Sequence, residues 1–262
     1  MEDGAGVRMI VTLLTDFGSA DGYVAEMKGA VLRLAPGATL VDVTHEVPLG
    51  DVAAAAYVLG RTWQAFPEGT VHLVVVDPGV GTDRRAIAAE AGGHRFVAPD
   101  NGVVSRVIEA GGARVVSLRV SATASPTFHG RDVFAPAAAR LAAGEPLASL
   151  GAPLQDPVLL PPPRLERRGD ELVGEVVHVD RFGTLVTSVP GSEVAGGASV
   201  RVAGHDVPLG RTFADAARGA LVAFVGSGGL VEVAVRDGRA EEVLGVGRGA
   251  EVRASAHGGS QA

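Results

Sequence analysis

The segment that most restricts the fold is Thr70–Val76 (TVHLVVV), which is apolar at five of seven positions and lacks the alternation of a half-exposed strand. Such a run is sheltered on both faces, as in a parallel sheet with helices packed above and below it. The flanking sequence supplies both partners. Met9–Leu14 and Thr39–Val43 read as strands. Tyr23–Leu34 reads as a helix with Val24, Met27, Val31 and Leu34 on one face, stopped by Pro36-Gly37. Val52–Trp63 reads as a second, Ala-rich helix. Further on, Arg95–Ala98 and Arg114–Val120 are expected as strands, with helices over Asn101–Glu109 and Asp132–Leu141. Strands alternating with helices predict an α/β domain with a mostly parallel sheet.

The pattern changes after Leu150. Pro157–Arg168 (PVLLPPPRLERR) carries four prolines and reads as an extended linker. Beyond it, Leu172–Val179, Leu185–Val189, Ser199–Val202, Leu221–Val225 and Leu230–Val235 are short strands between Gly-rich turns, the pattern of a small antiparallel barrel. The expected organisation is an α/β domain over 8–156, a Pro-rich linker over 157–170 and an all-β barrel over 171–254. The small, polar tail Ser255–Ala262 is expected to fray.

Composition narrows the function. A formal charge of −7 argues against a general nucleic-acid binder, which needs clustered cations to displace phosphate counterions. With no Cys there are no disulfides, thiolate nucleophiles or zinc–thiolate sites. No apolar run is long enough to cross a bilayer and the N-terminus lacks a signal-peptide pattern, so a cytoplasmic protein without membrane contact is expected.

In open α/β sheets ligands bind at the carboxyl ends of the strands, where three polar turns fall: Thr15-Asp16-Phe17-Gly18, Thr44-His45-Glu46 and Asp77-Pro78-Gly79-Val80-Gly81. A fourth cluster, Phe128-His129-Gly130-Arg131-Asp132, opens a helix. Asp16 directly follows a strand and suits a ribose diol, whereas Asp21 reads as a helix N-cap. The turn at Asp77 lacks the Lys-Ser/Thr ending of a phosphate loop; it reads as a rigid turn that returns Arg84 and Arg85 over the strand ends, or as a plain turn with a surface Arg pair. His45 and His129 lie in candidate site loops, while His72 sits inside a strand and reads as a core or surface residue. A metal site from Asp16, Asp77 and His129 has no paired-ligand spacing behind it, and there is no G-x-S-x-G nucleophile motif.

The segments TDFGSADGYVAEMKG (Thr15–Gly29), DVTHEVPLGD (Asp42–Asp51), VVDPGVGTDRR (Val75–Arg85), APDNGVVS (Ala98–Ser105), TFHGRDVFAPAAARLA (Thr127–Ala142), VDRFGTLVTSV (Val179–Val189) and GSGGLVEVAV (Gly226–Val235) resemble, in this order, the S-adenosyl-L-methionine (SAM) hydroxide adenosyltransferases, relatives of the fluorinases and chlorinases. The resemblance implies an α/β domain followed by a β-barrel, assembled as a homotrimer with each site between neighbouring subunits. It implies SAM as substrate, no cofactor or metal, and hydrolysis to adenosine and methionine by water or hydroxide attack on the ribose C5′. The family triad falls on Asp77, Arg84 and His129, with either Asp or His open as the base. Among binding residues, Asp16 matches the ribose-diol contact, Asp180 the methionine amine, Ser227 its carboxylate, and Phe182 an aromatic on adenine, its alternative being barrel core. Thr184 and Ser188 replace two asparagines of the family pattern, and Thr184 cannot present an amide's paired donor and acceptor to adenine. Halogenases carry Tyr at the position of Asp77 and lack the triad His, and fluorinases carry Ser near Gly130; a halogenase and a non-catalytic SAM or adenosine sensor are the competing readings.

Overall fold

The computed structural model describes residues 9–256 apart from Ala198, so Arg8 and tail residues 257–262 lie outside the described residues. The chain divides into two compact units, Met1–Leu160 and Pro161–Ala262.

In the first unit the elements run β1 (Ile10–Thr15), α1 (Tyr23–Leu34), β2 (Thr39–Thr44), α2 (Val52–Thr62), β3 (Val71–Val75), β4 (Ala86–Ala91), β5 (His94–Pro99), α3 (Ser105–Glu109), β6 (Arg114–Leu118), α4 (Ala135–Ala142) and β7 (Gly151–Pro153). They build one seven-stranded sheet in the order β2-β1-β3-β5-β4-β6-β7. Ladders β1–β2, β1–β3 and β3–β5 are parallel, and the sheet continues antiparallel through β4, β6 and β7. Alternate residues of the strands feed two cores. Val11, Leu13, Leu73 and Val75 pack under α1 and α4, with Met27, Val31, Phe134 and Leu141. Leu14, Val74 and Ile87 face the other way, onto Ala55, Leu59, Trp63 and Val107. β3 is buried at every position, as its apolar run requires.

Several local expectations shift. Helix α1 spans Tyr23–Leu34 as expected, but Gly22, not Asp21, occupies its N-cap, and no side chain caps it; the first helical residue, Tyr23, packs edge-on against Phe17 and Phe128. Helix α3 begins at Ser105 rather than Asn101, because the Asn101 side chain donates to Val76 O (2.9 Å) and accepts from Val103 N (3.2 Å), turning the chain locally. The helix expected from Asp132 opens earlier, with a π turn over Gly130–Phe134 closed by the Ala135 N–H on Gly130 O. Pro136 has no N–H to offer the Asp132 carbonyl, and the wider turn precedes it. Strand β4, of Ala-rich sequence, has no counterpart in the sequence reading. The buried His72 bonds Thr12 and His94 and stacks on Phe96, a satisfied core residue.

The second unit contains β8 (Leu165–Arg168), β9 (Glu171–Val179), β10 (Leu185–Pro190), β11 (Ser199–Val202), β12 (His205–Pro208), β13 (Leu221–Val225), β14 (Leu230–Val235), α5 (Ala240–Leu244) and β15 (Glu251–Ser255). The antiparallel order β12-β11-β15-β9-β10-β14-β13 nearly closes on itself, through a bridge between Leu209 and Ala223. Its interior is aliphatic, with Leu172, Val176, Leu185, Val200, Val231, Val233 and Val252 fully or almost fully buried. The stretch read as linker contributes a strand, since Leu165–Arg168 pairs with β9. Ser255, expected to fray, ends a paired strand.

Candidate active site

The site of the first unit forms at the carboxyl edge of the parallel strands. β3 delivers Asp77 there. The chain then turns through Gly79 and Gly81 and enters β4, whose first residue, Ala86, pairs with Pro99 at the end of β5. An antiparallel strand therefore begins where its parallel neighbours end, and Arg84, just before β4, comes back onto Asp77. A Cβ on Gly79 would lie 3.1 Å from Arg84 Cγ, so the glycine makes room for this return.

Arg84 Nε donates to Asp77 Oδ1 (2.9 Å) and Oδ2 (3.0 Å), and Nη2 bonds Asp77 Oδ2 and His129 Nδ1 (2.8 Å). The two charged side chains are 9% and 5% exposed. The guanidinium also lies over the Phe134 ring, 5.1 Å from its centroid, and its Nη1 is buried without a hydrogen-bond partner. Arginine only donates, so His129 Nδ1 is the acceptor nitrogen and the neutral ring carries its proton on Nε2. Burial, then the Arg84 charge, push the His129 pKa below its ordinary value despite Asp77 and Asp132 pulling it up. The ring is therefore neutral near pH 7.

Asp77 and His129 form part of the wall of a cavity of about 430 Å³, whose apolar side is made by Phe17, Tyr23 and Phe128. Arg84 lies beneath that wall. Asp16 does not line this cavity; its Oδ2 accepts from Gly50 N (2.8 Å), which joins the turn after β1 to the loop after β2. Gly50 adopts φ +69°, a backbone state that suits glycine. His45 bonds Thr15 Oγ1 through Nδ1 (2.9 Å), lies 3.0 Å from Asp42 and helps join the same two turns, outside the cavity. Among the described residues no group of three His, Asp or Glu side chains could hold a metal ion, and Asp16, Asp77 and His129 do not gather into one.

The Arg pair divides. Arg85 turns away from Arg84 to Asp100 Oδ2 (2.6 Å) and Asp156 (Oδ1 at 3.0 Å, O at 2.7 Å), while Asp100 Oδ1 accepts from Val158 N. It fastens the end of the first unit rather than serving the cavity.

The remaining expected site residues belong to the second unit. Asp180 Oδ1 accepts from Phe182 N and Thr184 N, both at 2.9 Å, and so shapes the turn between β9 and β10. Phe182 is 75% exposed, which overturns its reading as barrel core. Thr184 is buried; it lines, with Phe182 and Phe213, a cavity of about 730 Å³. Ser227 is exposed in the turn between β13 and β14. Ser188 is a structural replacement, accepting from Glu175 N (3.0 Å) and donating to Arg164 O (2.5 Å).

The sequence reading did not assign the aromatic corner of Phe17, Tyr23 and Phe128. Its signal was scarcity: with 8 Phe, 2 Tyr and 1 Trp in the whole chain, three aromatics beside site motifs stand out.

Residues 11–151 match the SAM hydroxide adenosyltransferase N-terminal domain and residues 174–253 its C-terminal domain, and the chain belongs to the SAM hydroxide adenosyltransferase family. It is 44% identical over 255 residues to a protein of Salinispora arenicola named (R)-S-adenosyl-L-methionine hydrolase, covering 94% of this chain and 97% of that one. A Thermus thermophilus protein of the same name is also 44% identical, covering 93% and 98%. A Nocardia brasiliensis protein named fluorinase is 32% identical, covering 87% and 91%. Among solved structures, an uncharacterized conserved protein from Thermotoga maritima superposes with a TM-score of 0.86 at 36% identity, covering 93% of this chain and 98% of that one.

Proposed function

We propose that this protein hydrolyses SAM to adenosine and L-methionine, taking the R epimer at sulfur as the names of its hydrolase relatives indicate. The observation that carries the reading is the buried Asp77–Arg84–His129 constellation beside a cavity at the carboxyl edge of the sheet, in a chain of this family. Water attacks the ribose C5′ in line with the C5′–S bond. That bond breaks with its electron pair going to sulfur, which becomes the neutral thioether of methionine; the water oxygen becomes the 5′-hydroxyl of adenosine and one proton is released.

His129 Nδ1 is engaged by Arg84, so His129 contributes its Nε2–H as a donor, and Asp77 is the group that accepts the proton of the attacking water. Arg84 is a positioning residue: it holds the Asp77 carboxylate in two-point contact and fixes the His129 tautomer. Attraction between the incipient hydroxide and the sulfonium strengthens as the cavity excludes water. In substrate binding, Asp16 keeps Oδ1 for the ribose diol while Gly50 engages Oδ2, Asp180 keeps Oδ2 for the methionine amine, Ser227 meets the carboxylate, and Phe182 and Thr184 border adenine. The site is completed in a cytoplasmic homotrimer, Asp16 and the triad coming from one subunit and Asp180, Phe182, Thr184 and Ser227 from its neighbour; the family resemblance and the 75% exposure of Phe182 support this arrangement.

The test is chromatography after incubating chelator-treated protein with SAM, with and without chloride or fluoride. Adenosine and methionine appearing independently of halide are expected. Halogenated nucleoside, or SAM binding without turnover, overturns the reading in favour of a halogenase or a sensor.

A further inference from the structure

We propose that Phe17, Tyr23 and Phe128 form a recognition corner for the sulfonium cation of the substrate, making the cavity selective for the charged thioether over its neutral counterpart. The inference rests on the proposed SAM chemistry and adds a role for three residues beyond the triad and the binding residues. The three rings meet edge-to-face, with centroids 6.0 Å (Phe17–Tyr23), 6.0 Å (Phe17–Phe128) and 5.4 Å (Tyr23–Phe128) apart and interplanar angles of 60°, 68° and 88°. Mutually inclined rings enclose a corner, and all three line the cavity that Asp77 and His129 border. Phe17 and Phe128 rest on the core beneath α1 and α4, whereas Tyr23 is 49% exposed.

Charge around the corner favours a cation. Arg131 sits over Phe128, 5.0 Å from its centroid, so one ring already takes a guanidinium. That guanidinium is neutralised by Glu26 (2.8 Å) and Asp132 (2.6 Å), and Asp132 also accepts from Ser125 N, which fixes the loop carrying Phe128. Taking Asp77 and Arg84 with these groups, three carboxylates stand against two guanidiniums while His129 is neutral, a net negative surround. A sulfonium has no proton to donate and is weakly hydrated, so the ring quadrupoles and the carboxylate field are the interactions open to it. Its neutral thioether analogue gains nothing from either.

The discriminating experiment is calorimetric titration of the full-length protein with two ligands that resist hydrolysis. One is S-adenosylhomocysteine, a neutral thioether; the other is the aza analogue of SAM, titrated where its tertiary amine is protonated. Wild type is expected to bind the cationic ligand more tightly. Tyr23→Leu, and independently Phe17→Leu, are expected to weaken the cationic ligand roughly 5- to 30-fold and the neutral one less than about 2-fold, with Tyr23→Phe close to wild type. Equal losses for both ligands, or no preference in wild type, overturn the sulfonium corner and leave hydrolysis standing. Failure of wild type to bind either ligand overturns the SAM reading itself.

Discussion

Asp77 and Arg84 form a buried ion pair that also takes part in the proposed reaction, and removing its halves separately and together distinguishes stability from chemistry. Arg84→Met deletes the donors to Asp77 and His129 and leaves a carboxylate that is 5% exposed without its counter-charge. Breaking a buried pair from one side costs about 3–5 kcal/mol, against a typical total stability of about 5–15 kcal/mol. For a unit of this size that lowers Tm by roughly 6–20 °C. Adding Asp77→Asn removes the stranded charge, and replacing both partners is often nearly neutral, so the double variant is expected to recover most of the loss. The double-mutant cycle should show coupling of about 2–4 kcal/mol in urea unfolding. In the proposed reaction turnover follows the opposite logic: the stable double variant stays inactive, because neither the proposed proton acceptor nor the Arg84 contact that fixes the His129 tautomer has returned. A double variant as unstable as Arg84→Met, or one that regains hydrolysis along with its stability, would refute the reasoning.

The protonation states give further tests. Because burial and Arg84 hold His129 below its ordinary pKa of 6.5, kcat should stay level from pH 8 to 6.5 and fall only below that, whereas a rise in kcat on acidification would show that imidazolium is the active form. His72 is pushed down to about 3 by burial and then by His94. The unfolded chain therefore binds this proton more tightly, and stability that is complete above pH 6.5 is lost as pH falls toward 3. The loss should be about 2 kcal/mol between pH 6.5 and 5 in urea unfolding, and His72→Gln should flatten it; an unchanged slope would exclude His72 as the source. If sites are shared between subunits of a trimer, Asp16→Ala and Asp180→Ala proteins, each inactive, should regain about a quarter of wild-type activity when mixed equally and exchanged. No recovery despite proven exchange contradicts the shared site.

The elements most legible in the sequence were those whose burial is written in their side chains. Thr70–Val76 announced a doubly covered strand, and the apolar face of Tyr23–Leu34 announced its helix, because hydrophobic burial is what fixes both. Strand β4 (AIAAEA) was hidden, since alanine favours no pleated surface by itself and its pairing on both sides comes from β5 and β6. β12 and β15 were missed for a similar reason: they read HDVP and EVRAS, and only barrel pairing makes them strands. At the candidate site, the loops were legible from their polar residues at strand ends, and Asp77, Arg84 and His129, which hydrogen bonds join in the structure, were singled out by the family resemblance. The tautomer of His129 was not legible, because it depends on an Arg84 contact made across 45 positions of chain.

The hidden strand is also the one on which the geometry of the Asp77–Arg84–His129 cluster depends. If the chain after Asp77 continued into a crossover helix, as a wholly parallel sheet requires, the next strand would begin at the opposite edge and its leading residues would lie far from the strand ends. Reversing direction at β4 places its leading residues at the same edge as Asp77. Once there, the period of two along an extended chain sends neighbouring side chains to opposite sides. Arg84 turns in to Asp77 and His129, and Arg85 turns out to Asp100 and Asp156. Insertion of one residue between Arg85 and Ala86 would exchange those two directions, and Arg84 would lose its contacts with Asp77 and His129.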